Sequence, residues 1–317
     1  MIIRPSAIGD IVMASPMLRV LRRHYPDAYI AWVTEPAYID ILRHNASLND
    51  IIVWNKNEWR DLFKKRRFSL LQHRISEFSH QLKKRGFDLA IDAQGLLRSR
   101  WLAWMSGAKE RVGLESKEPG RFLMTKVISR GVHTHVMGSE YRHMMETLGL
   151  EPGDFHPEII LSREDEVSAH EMLEQLKVGN GYAVFAPFTT RPQKHWIPGR
   201  WSELAQGIMV DLRLPVVLLG GEADLKSAMS IEEAAKVHIF NLAGLTTLGQ
   251  SAAIIRCASL LIGVDTGLTH MGAAFDTPTI ALFGATCPYL YTSGQKTSVI
   301  YNRMVCSPCR RRPVCNG

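Results

Sequence analysis

The chain reads as an α/β protein of two domains, each built around a parallel sheet. Three observations carry that reading. Short apolar runs suited to buried strands alternate with segments of helical spacing along nearly the whole length. Several of these runs end in a glycine-bearing turn that opens a helix, the junction where open α/β sheets bind ligands. At 317 residues the chain is long for one core and comfortable for two. The turn-rich stretch Glu151–Pro157 marks the linker, giving domains of 1–154 and 155–317.

Met1-Ile2-Ile3-Arg4 is the first strand, and Gly9 to His24 a helix with Ile11, Val12, Met17, Leu18 and Leu21 on its apolar face. Between them, Ser6-Ala7-Ile8-Gly9-Asp10 sets a carboxylate at the carboxyl end of that strand. Asp10 there either caps the helix or serves as a general base toward a bound hydroxyl. Tyr29–Val33 is a strand, Pro36–His44 a helix, Ile51–Trp54 a strand, Leu71–Arg85 a helix and Phe87–Asp92 a strand. No GxGxxG follows the first strand, which argues against a nicotinamide-binding domain. Residues 56–68 mix Lys56, Arg60 and further cations with Trp59, Phe63 and Phe68. They read as a loop, either plainly solvated or meeting anionic sugar or lipid headgroups. Ala93–Ser99 follows the strand ending at Asp92, and Arg98 there, with Lys117–Arg121 later, offers contacts to carboxylate or phosphate.

The second half repeats the pattern. A helix over Arg163–Lys177 precedes the strand Tyr182–Pro187, at whose end stand Thr189, Thr190 and Lys194. Two hydroxyls and a lysine at a strand end can hold phosphates. The strand Val216–Leu219 leads through Gly220-Gly221 to Glu222, placed to accept from ribose hydroxyls, and then to a helix ending near Ala235. The strand Ser259–Ile262 leads into Gly263-Val264-Asp265-Thr266-Gly267-Leu268-Thr269-His270 and a small-residue helix. A helix start with a glycine in its turn is a ready site for a nucleotide diphosphate; capping by Asp265 and Thr266 is the simpler role. A last strand begins at Pro278. Two α/β domains facing each other over a cleft is the expected architecture.

Charge is placed unevenly. Residues 1–154 hold 24 Lys+Arg against 17 Asp+Glu, a net of +7, and residues 155–317 hold 14 against 14. The basic half points to an anionic partner. A nucleic-acid-binding protein would account for the charge but not for strand-end motifs in the neutral half. An acid at position 10 stands where a signal peptide needs its apolar core, and no run approaches membrane-spanning length, so cytoplasmic residence is expected. Five cysteines do not form a secreted disulfide pattern. Cys257 and Cys287 read as isolated residues near the core. Cys306, Cys309 and Cys315 offer only three thiolates among three arginines, so a closed metal site within one chain is not expected.

Taken together, Ser6–Asp10, Asp92-Ala93-Gln94-Gly95-Leu96, Thr189-Thr190 with Lys194-His195-Trp196, and Val264–His270 resemble the bacterial ADP-heptose:lipopolysaccharide heptosyltransferases, over nearly the whole chain. The resemblance implies a GT-B fold of two Rossmann-like domains and an inverting transfer of heptose from ADP-heptose to the Kdo–lipid A inner core of lipopolysaccharide. It implies Asp10 as catalytic base with Ser6 in the same motif, and Thr189, Thr190 and Lys194 on the donor's phosphates and sugar. Asp265, Thr266, Gly267, Leu268 and His270 correspond to the diphosphate loop, Glu222 to the nucleoside contact, and Lys56, Arg60, Arg98 and Lys117 to the acidic acceptor. The partners implied are the ADP-sugar, the anionic Kdo–lipid A acceptor and, transiently, the inner membrane surface, with no nucleic acid. Details around Trp59-Arg60, Asp92–Gly95 and Lys117–Pro119 look like the enzyme adding the first heptose; the cysteine-bearing tail departs from its simplest members. Transfer to the first heptose is the alternative, and a sugar-nucleotide epimerase is the rival from another class. No Asp-x-Asp pair occurs, so no divalent metal or other cofactor is required.

Overall fold

The computed structural model describes residues 1–131, 135–179, 181–285, 291, 296–302 and 304–307. They fall into two compact units, one of Met1–His133 with Gly138–Phe155, the other of Thr134–Met137 with His156–Gly317.

Unit 1 carries strands β1 (Ile2–Ile3), β2 (Ala31–Thr34), β3 (Asp50–Val53), β4 (Leu89–Asp92), β5 (Glu110–Leu114) and β6 (Lys126–Ile128). Its helices are α1 (Ile8–Ala14), α2 (Pro16–His24), α3 (Ile39–Leu42), α4 (Lys56–Lys64), α5 (Phe68–Lys84), α6 (Leu97–Met105) and α7 (Ser139–Thr147). Unit 2 carries α8 (Arg163–Gln175), β7 (Ala183–Ala186), α9 (Pro198–Gly207), β8 (Val216–Leu218), α10 (Leu225–Ala234) and β9 (Ile239–Asn241). It continues with α11 (Leu248–Cys257), β10 (Leu260–Val264), α12 (Gly267–Ala274), β11 (Thr279–Phe283) and β12 (Thr297–Tyr301).

Both sheets are parallel, in the orders β3-β2-β1-β4-β5-β6 and β12-β11-β10-β7-β8-β9. Counted from each unit's own first strand, the two orders are the same, 3-2-1-4-5-6. In that order the chain winds outward in both directions from a first and a fourth strand that lie side by side. The gap beyond their carboxyl ends is the switch point where doubly wound sheets take ligands. It falls at β1/β4 in unit 1, where Ile3 pairs with Asp92, and at β7/β10 in unit 2, where Ala186 pairs with Gly263.

The central strands are apolar on both faces because helices cover both; β1, β2 and β7 are buried throughout. Trp54, Phe78, Leu82, Phe87 and Leu102 fill one core between the first sheet and its helices. Phe185, Trp201, Val216, Leu218 and Ile231 fill the other, with Trp201 5.2 Å from the Phe185 and Trp196 rings.

The structure revises several expectations. The helix expected over 9–24 is two, because Pro16 has no N–H; the Ser15 hydroxyl donates to the Val12 carbonyl at 2.8 Å instead. Residues 56–68 are not a loop. Lys56–Lys64 is helical, and Trp59 holds it to the core, 5.8 Å from Trp54, 5.5 Å from Phe78 and 6.0 Å from Trp101. Cys257 is exposed at the end of α11 rather than near the core. Cys306 is exposed too, while Cys287, Cys309 and Cys315 lie outside the described residues.

Candidate active site

In unit 2 the switch point brings the loops after β7 and β10 together. The Lys194 ammonium donates to Asp265 Oδ2 at 2.7 Å and to the Asp265 carbonyl at 3.4 Å. The other carboxylate oxygen, Oδ1, lies 3.3 Å from His270 Nε2. An ionised carboxylate only accepts, so Nε2 carries the proton of this bond. Burial alone would raise the Asp265 carboxyl, but the His270 and Lys194 contacts outweigh it and hold it well below the ordinary range. Asp265 thereby joins the β7 loop, the β10 loop and the first turn of α12.

That helix sits unusually close to its strand. A Cβ on Gly263 would meet Thr269 Oγ1 at 2.2 Å and the Ala186 side chain at 3.0 Å, so only glycine fits. The Thr269 hydroxyl donates to the Val264 carbonyl at 2.7 Å. Thr266 stands at the N-cap with extended backbone, and its side chain makes no capping bond. The amides of Gly267 and Leu268 therefore open a helix whose positive end is not taken up by a cap. Thr189 is half-buried and Thr190 exposed on the same edge, and the Thr189 carbonyl lies 2.7 Å from His195 Nε2. A cavity of about 310 Å³ adjoins this cluster, lined by Lys194, Trp196, Asp265, Phe283, Asn302 and Met304 among others.

In unit 1 the corresponding gap is bridged by Arg4. Its guanidinium donates to the Ala93 carbonyl beyond β4 at 3.1 Å and pairs with Asp10 Oδ2 at 2.5 Å. Asp10 is the third residue of α1, its carboxylate also receives the Ala7 N–H at 3.3 Å, and its side chain is 37% exposed. The capping contact therefore exists, and the carboxylate still reaches solvent. Half-buried Ser6 is held by its carbonyl, which accepts from Gln94 Nε2 at 3.1 Å. Asp92 is fully buried and accepts from the Gln94 and Gly95 amides at 3.0 Å, shaping the turn; burial pushes its carboxyl up.

The sequence places the chain in a family. The family description "Glycosyltransferase family 9 (heptosyltransferase)" matches residues 75–316. The chain belongs to this family. It is 28% identical over 326 residues to lipopolysaccharide heptosyltransferase 1 of Pseudomonas aeruginosa, covering 98% of this chain and 86% of that one. Against lipopolysaccharide heptosyltransferase 1 of Escherichia coli K12 it is 27% identical, covering 96% and 92%. A family 9 glycosyltransferase structure from Veillonella parvula superposes with a TM-score of 0.81 at 22% identity, over 95% of this chain and 85% of that one. The E. coli heptosyltransferase WaaC with ADP superposes at 0.75 and 24% identity, over 95% and 92%. The fold is thus GT-B, and the protein is a glycosyltransferase of the heptosyltransferase family.

The other residues expected at the site are scattered over their units. Glu222 opens a short 3-10 turn after β8, the strand beside β7, and is exposed. Among the described residues its carboxylate contacts neither Lys194 nor Asp265. Lys56, on α4, pairs with Glu35 at 2.6 Å, so its charge is already answered, while Arg60 one turn on is exposed. Arg98 and Lys117 are both exposed. Their backbones are drawn together because Glu118 accepts the Leu97 N–H at 3.0 Å. Buried Arg100 then fixes the 118–119 loop through its carbonyls at 3.0 and 3.1 Å.

Arg4 and Arg100 are the residues that sequence reasoning missed. A lone arginine at a strand end or inside a helix gives no local sign that it is buried. The carbonyl that fixes Arg4 lies 89 positions away, and those that fix Arg100 lie 14 to 19 away. The tail residues Asn302, Met304 and Cys306 beside the unit 2 cavity were not foreseen either.

Proposed function

We propose that this enzyme moves heptose from ADP-heptose, with inversion, to the Kdo–lipid A inner core of lipopolysaccharide. The observation that carries the donor half is the Lys194–Asp265–His270 cluster at the β7/β10 switch point, set against the uncapped start of α12. Lys194 gives Asp265 two of its three protons, at Oδ2 and at the carbonyl, and keeps the third for a diphosphate oxygen. Relatives whose structures hold ADP and ADP-2-deoxy-2-fluoro heptose support an ADP-sugar as donor.

In this reading Asp10 takes the proton of the acceptor hydroxyl as its oxygen attacks the anomeric carbon from the side opposite ADP. A single displacement inverts that centre. Lys194 and the α12 amides stabilise the charge that builds on the departing diphosphate. Thr189 and Thr190 contact the donor's phosphates or sugar, and Glu222 accepts from the ribose. Arg60, Arg98 and Lys117 receive the anionic acceptor, and Lys56, paired with Glu35, stands one helical turn before Arg60. No step is assigned to a metal or cofactor.

The acceptor is anchored in a membrane, and no described helix is long and apolar enough to cross one. We place surface contact at the turn between α4 and α5. Exposed Phe63 and Phe68, 62% and 55% accessible with rings 5.8 Å apart, flank Lys64, Lys65, Arg66 and Arg67. None of these four forms an ion pair among the described residues, which suits anionic headgroups.

Product analysis with ADP-heptose and a Kdo–lipid acceptor tests the whole reading: a heptosylated product of inverted configuration is expected. Asp10→Asn should lose ~10²–10⁴-fold in kcat with near-normal ADP affinity. A variant keeping more than about a tenth of wild-type turnover removes Asp10 as the base.

A further inference from the structure

The two carboxylate oxygens of Asp10 have different surroundings. Oδ2 receives both the Arg4 guanidinium at 2.5 Å and the Ala7 N–H at 3.3 Å. Oδ1 receives no hydrogen bond from any described residue. Left alone, an aspartate carboxylate turns easily about its terminal torsion, which is broad and two-fold. Either oxygen would then face a substrate, each only part of the time.

Arg4 is fixed independently of Asp10. It is 7% exposed, one residue past the buried strand β1. Its Nη1 is committed to the Ala93 carbonyl beyond β4. Its guanidinium carbon lies 5.9 Å from the centre of the Tyr141 ring on α7, and its own carbonyl accepts from Trp32 Nε1 at 3.2 Å. The arginine is thus held by β1, β2, β4 and α7, and offers Nη2 to Asp10 from a rigid mount. Burial alone would make it easier to deprotonate, but Asp10 first, then Tyr141, outweigh burial and hold it above its ordinary value. It therefore does not act as a proton donor.

We propose that Arg4 is a positioning residue for the transfer: it grips Asp10 by Oδ2 so that Oδ1 is the oxygen that receives the acceptor's proton. The proposal rests on the reading of Asp10 as base. In the step, the acceptor O–H bond breaks and its proton passes to Oδ1. The freed pair forms the bond to the anomeric carbon, and the bond from that carbon to the diphosphate oxygen breaks with its pair leaving on ADP. Arg4 stays charged throughout. When Asp10 becomes neutral, the guanidinium keeps the Ala93 carbonyl and the Tyr141 ring face.

The experiment is a double-mutant cycle on the full chain: wild type, Arg4→Met, Asp10→Asn and the double variant, each with kcat, donor KM and a melting curve. Misplacing a reacting group by an ångström costs up to about a hundredfold, so Arg4→Met should lower kcat by roughly tenfold or more and leave donor KM unchanged. In the Asp10→Asn background the same change should have no further effect, because the group it positions is gone. Arg4→Lys, which keeps one donor in reach of Asp10, should recover part of the loss. If Arg4→Met does not fold, the cycle is run with Arg4→Lys alone, for which a smaller loss that vanishes beside Asp10→Asn is expected.

An Arg4 variant with wild-type kcat, or one whose loss is as large without Asp10 as with it, overturns the proposal. Such a result leaves the base reading intact, provided Asp10→Asn is itself inactive. An active Asp10→Asn enzyme would overturn both.

Discussion

At the scale of the residue, the strongest electrostatic statement concerns Asp265. Its carboxyl is held below the ordinary range in the folded protein, against an unfolded value of roughly 3.9. As pH falls, the unfolded chain therefore takes up this proton first. The stabilisation from Asp265 is whole above the unfolded value and is lost as pH drops through the folded one. Asp265→Asn removes the titrating group, so its denaturation midpoint should fall less steeply than that of wild type as pH is lowered below about 4. Equal slopes would mean that the Lys194–Asp265–His270 cluster is not formed in solution. Asp265, Lys194 and Asp10 were all legible in the sequence because each stands one to eight positions past a recognisable strand in a turn with glycine or hydroxyl neighbours. Arg4 was not, because its burial and its hold on Asp10 depend on Ala93, which only the sheet brings to it.

At the scale of the element, α12 and the loop after β7 act as one device, since Lys194 on the loop grips the residue before the helix cap. If this is the diphosphate site, removing either side should loosen it. We expect Lys194→Ala and Asp265→Ala each to weaken ADP binding by about tenfold or more in calorimetry, the loss of a charge-assisted bond. Wild-type affinity in both would put the diphosphate elsewhere. Elements were read unevenly. The central strands stood out because they are buried on both faces and apolar, as Ile2–Ile3 and Ala183–Ala186 are. Strands β5, β6, β9 and β12 went unread because polar residues break their apolar runs: Glu110 and Arg111, Lys126, Asn241, and Thr297 with Ser298. Helix α4 was hidden by its charge. Trp59 and Leu62 carry its inward face at helical spacing, but Lys56, Arg60 and Lys64 around them made the stretch resemble a solvated loop.

At the scale of the whole molecule, the net charge of +7 lies in residues 1–154 while residues 155–317 are neutral. If the basic half receives an anionic glycolipid, added salt should raise the KM for acceptor far more than that for donor, since exposed charges are screened over roughly 8 Å at physiological ionic strength. Equal sensitivity for both substrates would refute that division of labour. The repeated strand order invites a picture of two beads on a string, each inherited or exchanged as a block, but Thr134–Met137 spoils it. These four residues belong to unit 2 although unit 1 resumes at Gly138 and runs to Phe155. There the Met137 N–H donates to the Tyr291 carbonyl at 3.0 Å, and the His135 carbonyl accepts from the Tyr291 N–H at 3.1 Å. A recombination event with a single junction near residue 155 would thus carry off unit 2 without a piece of its own backbone pairing, and leave that piece stranded on a foreign partner. Swapping unit 2 among relatives, in the laboratory or in evolution, requires either a second junction around residues 134–137 or a recipient whose segment already matches the backbone at Tyr291. Chimaeras that keep 134–137 with their original 156–317 should be recovered folded far more often than those that split them.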